Sequence, residues 1–239
     1  MQISRFADTH RLDNQTHNKR SAATANARRL AEPLRPASFA QCQLHDVRSN
    51  LRAVIIDQPA QFAEARALVE QRYTARGYKS MSDAGRPCKE RNAVTILATH
   101  GDRTVGTMTL RFDSRDGLNV DEAYGPEVRA VRDDGGVACE LTCLALAPDA
   151  DSQATLAVLF RLAWFVADQL GITDVFIEVN PRHQRFYSRV LDFDVAAEER
   201  MCPRVQAPAV LLHQDLAKIG KRLGGFPPPT RELQELAAA

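Results

Sequence analysis

The chain has 239 residues, 44% of them hydrophobic, enough for one sizeable core, and its 31 Lys+Arg against 30 Asp+Glu leave a formal charge of +1. That balance gives no support for a nucleic-acid partner, and no apolar run has the length of a signal peptide or transmembrane segment, so a cytoplasmic protein is expected. Five scattered cysteines (Cys42, Cys88, Cys139, Cys143, Cys202) form neither an even framework nor a Cys-x-x-Cys pair, which argues against disulfides and against a metal site.

The first 50 residues are polar, with eight Lys/Arg against four acids and little apolar periodicity, and read as a largely disordered extension. The domain is expected over 51–217. Leu51 to Asp57 is a β-branched apolar run, a strand, and Pro59 marks its end before a helical pattern carrying Phe62, Ala65, Arg66 and Val69 to Tyr73. From Ala75 to Arg91 the chain holds Gly77, Gly85 and Pro87 and shows no period, an irregular loop flanked by Tyr73 and Tyr78. Strands Ala93 to Thr99 and Thr104 to Phe112 follow, joined by His-Gly-Asp-Arg with a glycine available for positive φ. In the second, Met108, Leu110 and Phe112 alternate with Thr107, Thr109 and Arg111, an apolar face and a face that can meet ligand.

After a Gly/Asp-rich link, Ala138 to Ala147 reads as a strand, with Cys139 and Cys143 as small core residues on one face. Pro148 ends it. Asp151 or Ser152 can cap a long helix closed by Gly171, and that helix is apolar around most of its circumference, so Leu156, Leu159, Phe160, Ala163 and Val166 are expected on the sheet. Val175, Ile177 and Val179 alternate with Phe176, Glu178 and Asn180 in a further strand, which makes 138–179 a crossover between parallel strands. Pro181 then stops the chain, and Phe186, Val190 and Phe193 recur at helical spacing with Tyr187 beside them. Ala207 to Leu216 is the last strand, and 218–239, with Pro227 to Pro229, reads as an extended tail.

Three segments carry a resemblance: GLNVDEAYGPEVRAVRDDGG before a strand, the strand CELTCLALAP, and EVNPRHQRFYSRVLDF followed by PRVQAPAVLLHQDL. Together they resemble the N-acyl amino acid synthases of the FeeM type, within the GNAT acyltransferase superfamily and related to acyl-homoserine lactone synthases. The resemblance implies an α/β (α+β) fold, a central mixed sheet flanked by helices in which the fourth and fifth strands, 138–147 and 175–179, run parallel and splay apart. It also implies transfer of a long-chain fatty acyl group from acyl carrier protein to the amine of an amino acid or similar small acceptor, the acyl-phosphopantetheine serving as donor with no permanently bound cofactor. The alternatives are a CoA-dependent N-acetyltransferase and a non-catalytic acyl-binding module. The turn APDADSQA at 147–154 favours the carrier protein over acyl-CoA, because it lacks the glycines that let backbone N–H groups cradle a pyrophosphate and holds Asp149 and Asp151 instead.

Amide formation from a thioester needs an amine freed of its proton, a seat for the oxyanion and a proton for the thiolate. Glu140 in Cys-Glu-Leu-Thr matches the base of the Glu-x-Ser/Thr-Arg pattern of acyl-homoserine lactone synthases, with Cys143 where that pattern has arginine. By the same resemblance Tyr187 is the proton donor to the thiolate. Glu178, Asn180 and His183 are placed to orient the acceptor, His183 at the mouth of the opening between the splayed strands. Arg111, beside Thr109, has the planar fork to hold an acceptor carboxylate. Tyr73 and Tyr78 are either groove or packing residues. Arg182, Arg185 and Arg189 form a basic stripe suited to an acidic carrier protein or the pantetheine phosphate.

Overall fold

One eight-stranded mixed sheet organises the chain in the computed structural model, which describes residues 39, 42–78 and 92–224. Its strands are β1 (Gln43–Asp46), β2 (Leu51–Ile55), β3 (Ala93–His100), β4 (Arg103–Phe112), β5 (Ala138–Leu146), β6 (Asp174–Val179), β7 (Asp194–Cys202) and β8 (Ala207–Asp215), in the spatial order β1-β2-β3-β4-β5-β6-β8-β7. All neighbours are antiparallel except β5 and β6, the pair expected to be parallel. The helices are α1 (Pro59–Thr74), α2 (Asp121–Asp133), α3 (Ser152–Gln169), α4 (Gln184–Leu191), preceded by a 3-10 turn at Pro181–His183, and α5 (Leu216–Arg222).

The parallel pair is joined by α3, whose apolar circumference is the reason it lies buried. Val158, Leu159, Leu162, Ala163 and Val166 pack across β2, β3 and β4 against Ile96, Met108 and Leu110. Each such side chain contributes roughly 1.5–3 kcal/mol through burial. Asp151 caps α3 by accepting from the Ala154 N–H, and Gly171 takes φ +65° just past the last turn. On the opposite face α1 covers β3 to β5, with Phe62 and Ala65 on Leu97, and Leu68 and Val69 on Cys143 and Ala145.

Several elements depart from expectation. The sheet begins at Gln43, ahead of Leu51, because Gln43–Asp46 pairs with Leu51–Val54 through a tight turn. The expected disorder of the remaining N-terminal residues, the loop beyond residue 78 and the proline tail fall outside the described residues. The Gly/Asp-rich link contains α2, which tolerates Gly125 and Pro126 through a kink at Tyr124 (φ −131°, ψ 28°). A strand, β7, separates the short helix from the last strand; it is a mostly exposed sheet edge and so lacks the alternation of a half-buried one. Residues just past Asp215 continue as α5, capped by the Asp215 carboxylate. In α4 the inward side chains are Tyr187 and Leu191, whereas Phe186 and Val190 are 39% and 46% exposed. The stripe expected at Phe186, Val190 and Phe193 is therefore rotated: Phe193 reaches the core only after Asp192 turns the chain in the left-handed region (φ 63°).

Candidate active site

β5 keeps β4 along its length, from Cys139 opposite Phe112 to Leu146 opposite Gly106, but pairs with β6 only from Ala138 to Leu141. Beyond Leu141 and Ile177 the parallel strands part. The cause lies in β5, where Thr142 faces Thr109 and Ala145 faces Thr107, so Met108 opposes two residues, Cys143 and Leu144. Cys143 absorbs this bulge with φ +53°, a conformation costly for a side-chain-bearing residue. The bulge also reverses the facing of the strand. Cys139 joins the core under α3, whereas Cys143 packs on Leu68 and Val69 of α1, so the two cysteines do not share a face as alternation alone predicts.

The parting leaves a cavity of about 440 Å³. Apolar side chains from β5, α3 and β6, among them Leu144, Leu156 and Val179, form much of its wall. Glu140 stands in that wall and is 1% exposed. Its Oε2 accepts from the Asn119 N–H at 2.7 Å and the Val120 N–H at 3.3 Å. Burial, with the charge of Glu178 adding to it, raises the Glu140 carboxyl to about 7 against the pull of Arg204, the Val120 N–H and Arg111. The loop that grips Glu140 is itself clamped: Arg132 bonds both oxygens of Asp113 and of Asp121, and Asp121 accepts from the Leu118 N–H at 2.7 Å.

Glu178 lies on the same face as Glu140, since Phe176 pairs with Glu140 and Glu178 is two residues further along β6. One Glu178 oxygen is ion-paired with Arg204, which also reaches the Asn119 carbonyl (2.5 Å) and Glu122 (3.1 Å). Arg204 comes from the turn between β7 and β8. It brings a guanidinium to the Glu140–Glu178 pair although position 143, where the related pattern has arginine, is cysteine here. Sequence reading missed it, since nothing in the local pattern of a turn arginine marks a long-range ion pair; its only signal was the segment PRVQAPAVLLHQDL.

A second wall is aromatic and basic. Tyr73 and Tyr78 meet edge to face at 5.6 Å, and both line the cavity with Tyr187, His183 and Asn180. Burial raises the Tyr187 hydroxyl above the ordinary phenol range, so it stays protonated at neutral pH, while burial and the positive charges of Arg76 and Arg182 lower His183. Arg72 and Arg76, four residues apart near the C-terminal end of α1, also line the cavity and were not singled out from sequence. Asn180 accepts from the Arg182 N–H and donates to the Pro208 carbonyl at 3.3 Å, tying the end of β6 to β8.

Thr109 and Arg111 do not form part of the cavity wall. The Thr109 hydroxyl is bonded to that of Thr95 at 3.0 Å, and Arg111 sits opposite Glu140 across the β4–β5 ladder, influencing it by charge. Arg182, Arg185 and Arg189 are exposed on the outside of the α4 region, away from the cavity lining. At the N-terminus of α3 the Asp151 carboxylate occupies the Ala154 amide, and Asp149 is paired with Arg103 at 2.6 Å. The Asp149 charge is thus offset, and what closes this helix end to an anion is the Asp151 cap. Among the described residues, no three His, Cys, Asp or Glu are grouped to hold a metal, and no helix is long and apolar enough to cross a membrane.

Comparison with known proteins gives the site a context. Residues 64–215 match the family N-acyl amino acid synthase FeeM. The structure is similar to that of FeeM, an N-acyl amino acid synthase from uncultured soil microbes, at 25% identity and a TM-score of 0.64, covering 72% of this chain and 93% of that one. It shares its fold with the acyl-homoserine lactone synthase LasI (16% identity, TM-score 0.56, 77% of this chain and 100% of that one). An uncharacterized protein from Bacillus halodurans has the same fold (9% identity, TM-score 0.54, 78% and 95%). No curated protein sequence matches significantly.

Proposed function

The chain belongs to the N-acyl amino acid synthase FeeM family and is an acyltransferase, and from that premise we propose that it moves a long-chain fatty acyl group from acyl carrier protein to the amine of an amino acid or similar small acceptor. The observation that carries this reading is the apolar cavity between the parted strands with a buried carboxylate, Glu140, in its wall. A carboxyl near 7 is matched to taking a proton from an ammonium close to neutral pH, which an exposed glutamate is not. The bulge at Cys143 takes backbone groups out of the β4 ladder beside the cavity, and these suit the oxyanion of the tetrahedral intermediate. Tyr187 returns a proton to the leaving thiolate.

Carrier protein is favoured as donor because the α3 amide that a diphosphate needs is occupied by Asp151. The phosphopantetheine arm has no such need. Arg182, Arg185 and Arg189, with Phe186 half exposed among them and also at the cavity wall, form the docking face for an acidic carrier. Arg72 and Arg76 supply positive charge inside the cavity, which favours an acceptor bearing a carboxylate and takes over the role expected of Arg111. A cytoplasmic location belongs to the same reading.

Donor length is the test. Each buried methylene is worth about 0.8 kcal/mol, roughly fourfold, so turnover measured with carrier-protein and CoA thioesters from acetyl to tetradecanoyl should climb steeply with length. Equal use of acetyl-CoA would make the protein an ordinary acetyltransferase. Binding of long thioesters without amide product would make it an acyl-binding module.

A further inference from the structure

Among the polar atoms buried in the described residues, Glu178 Oε1 stands out. The Glu178 side chain is 6% exposed and forms part of the cavity wall, one carboxylate oxygen is spent on Arg204, and Oε1 has no hydrogen-bond partner. A buried carboxylate oxygen without a partner is costly unless something completes it. The groups facing Glu178 are Glu140 from β5, Tyr124 from α2, Cys202 from the end of β7 and Arg204 from the following turn. Tyr124 directs its hydroxyl to the Ala209 carbonyl at 2.6 Å, the Cys202 thiol is a weak donor that leaves Oε1 unsatisfied, and Glu140 has the same sign of charge. What is missing beside Oε1 is a cationic donor.

We propose that Glu178 Oε1 is the seat of the acceptor's ammonium group: the ion pair with Arg204 fixes the carboxylate with one oxygen to spare, and that oxygen and Glu140 flank the nitrogen. This rests on the acyltransferase reading and adds to it the protonation state in which the acceptor is selected. The two carboxylates divide the work. Glu178 binds R–NH3+ and keeps its partner Arg204. Glu140 removes one proton, the nitrogen lone pair forms the C–N bond to the thioester carbon, and the C–S bond breaks with its electrons on sulfur. Tyr187 gives its proton to the thiolate, and the second proton leaving nitrogen as the amide forms is taken up by the resulting phenolate, leaving an amide, a thiol, a restored Tyr187 and a protonated Glu140. Arg204 is a positioning residue in this scheme: with its guanidinium shared among Glu178, Glu122 and the Asn119 carbonyl, it orients Glu178 rather than holding the acceptor's own carboxylate.

The test uses the full chain, dodecanoyl-acyl carrier protein as donor, and the twenty proteinogenic amino acids and their amides as acceptors, with amide product read by mass spectrometry. With the best acceptor, Glu178→Gln should raise the acceptor KM roughly 10- to 100-fold, the scale of one charge-assisted hydrogen bond, and leave the donor KM nearly unchanged. Independently of any variant, an amino-acid amide whose α-amino group titrates near about 8 should show a KM that is flat below that pH and rises above it, because the ammonium is the form bound. An unchanged acceptor KM in a folded Glu178→Gln protein overturns the proposal. So does a KM in the parent that falls as pH rises through the amine's titration, and this decides the matter if the variant does not fold. No amide from any acceptor would instead remove the acyltransferase reading itself, a result distinguishable from the other two.

Discussion

The two edges of β5 behave in opposite ways. Along its β4 edge the strand is paired from Cys139 to Leu146, and beneath α3 Met108, Leu110 and Leu159 are buried beside Cys139. Along its β6 edge the pairing stops after Leu141, and the unpaired stretch borders a cavity of about 440 Å³. One strand thus closes a core and opens the candidate cavity, and the hinge between the two is a single bulged residue, Cys143. Packing stabilises the first edge despite the strained backbone of Cys143, whereas the second keeps a buried carboxylate that costs stability.

Breaking the open edge should cost catalysis first. Glu140→Gln keeps the shape and still accepts the Asn119 and Val120 N–H bonds, so binding of a long acyl thioester, followed by fluorescence, should persist while turnover falls roughly 10²- to 10⁴-fold. On the closed edge the loss should be one of stability alone: Leu159→Ala leaves a hole under the sheet and should lower the unfolding free energy in urea by about 2–5 kcal/mol with no change in acyl-length preference.

The next effect sharpens the contrast through pH. Glu140 titrates at 4.5 when unperturbed and at about 7 in the fold, so between those values the folded state holds a proton the unfolded chain has released. Stability from this group is therefore fully present below about 4.5 and declines as pH rises toward 7, by roughly 3 kcal/mol in all. Glu140→Gln should escape that decline, so urea unfolding should find the variant more stable than its parent at pH 8 and the advantage gone at pH 4.5. The smallest effect concerns the hinge. Cys143→Val puts a β-branched residue at φ +53° and should cost about 1–2 kcal/mol, while Cys143→Gly, which accepts that conformation freely, should retain both stability and activity.

Legibility in the sequence followed the range of the forces involved. The crossover from β5 through α3 to β6 was readable because its signals are local: a cap at Asp151, an apolar circumference, Gly171 after the last turn. Glu140 was reachable through the resemblance carried by CELTCLALAP. The α2 segment was hidden by Gly125 and Pro126, which read as breakers but here sit at a kink, and β7 was hidden because an exposed edge needs no apolar face. The bulge left no mark either, since ACELTCLALA alternates plausibly without one, and only the register against β4 reveals the flip at Cys143. Arg204 was the least legible of the site residues: its partners Glu122 and Glu178 lie 82 and 26 residues away, and no periodicity encodes such a contact.

The place of β8 in the sheet bears on when during synthesis the enzyme comes into being. β8 inserts between β6 and β7, with Val210 opposite Val179 and Ala207 opposite Cys202, so the hairpin bearing Arg204 acquires its position only when the last strand docks. A nascent chain that has left the ribosome only as far as β6 already holds both glutamates but no guanidinium between them. Competence therefore arrives late in translation, and a chain terminated before Arg204 lacks the residue that reconciles its acids.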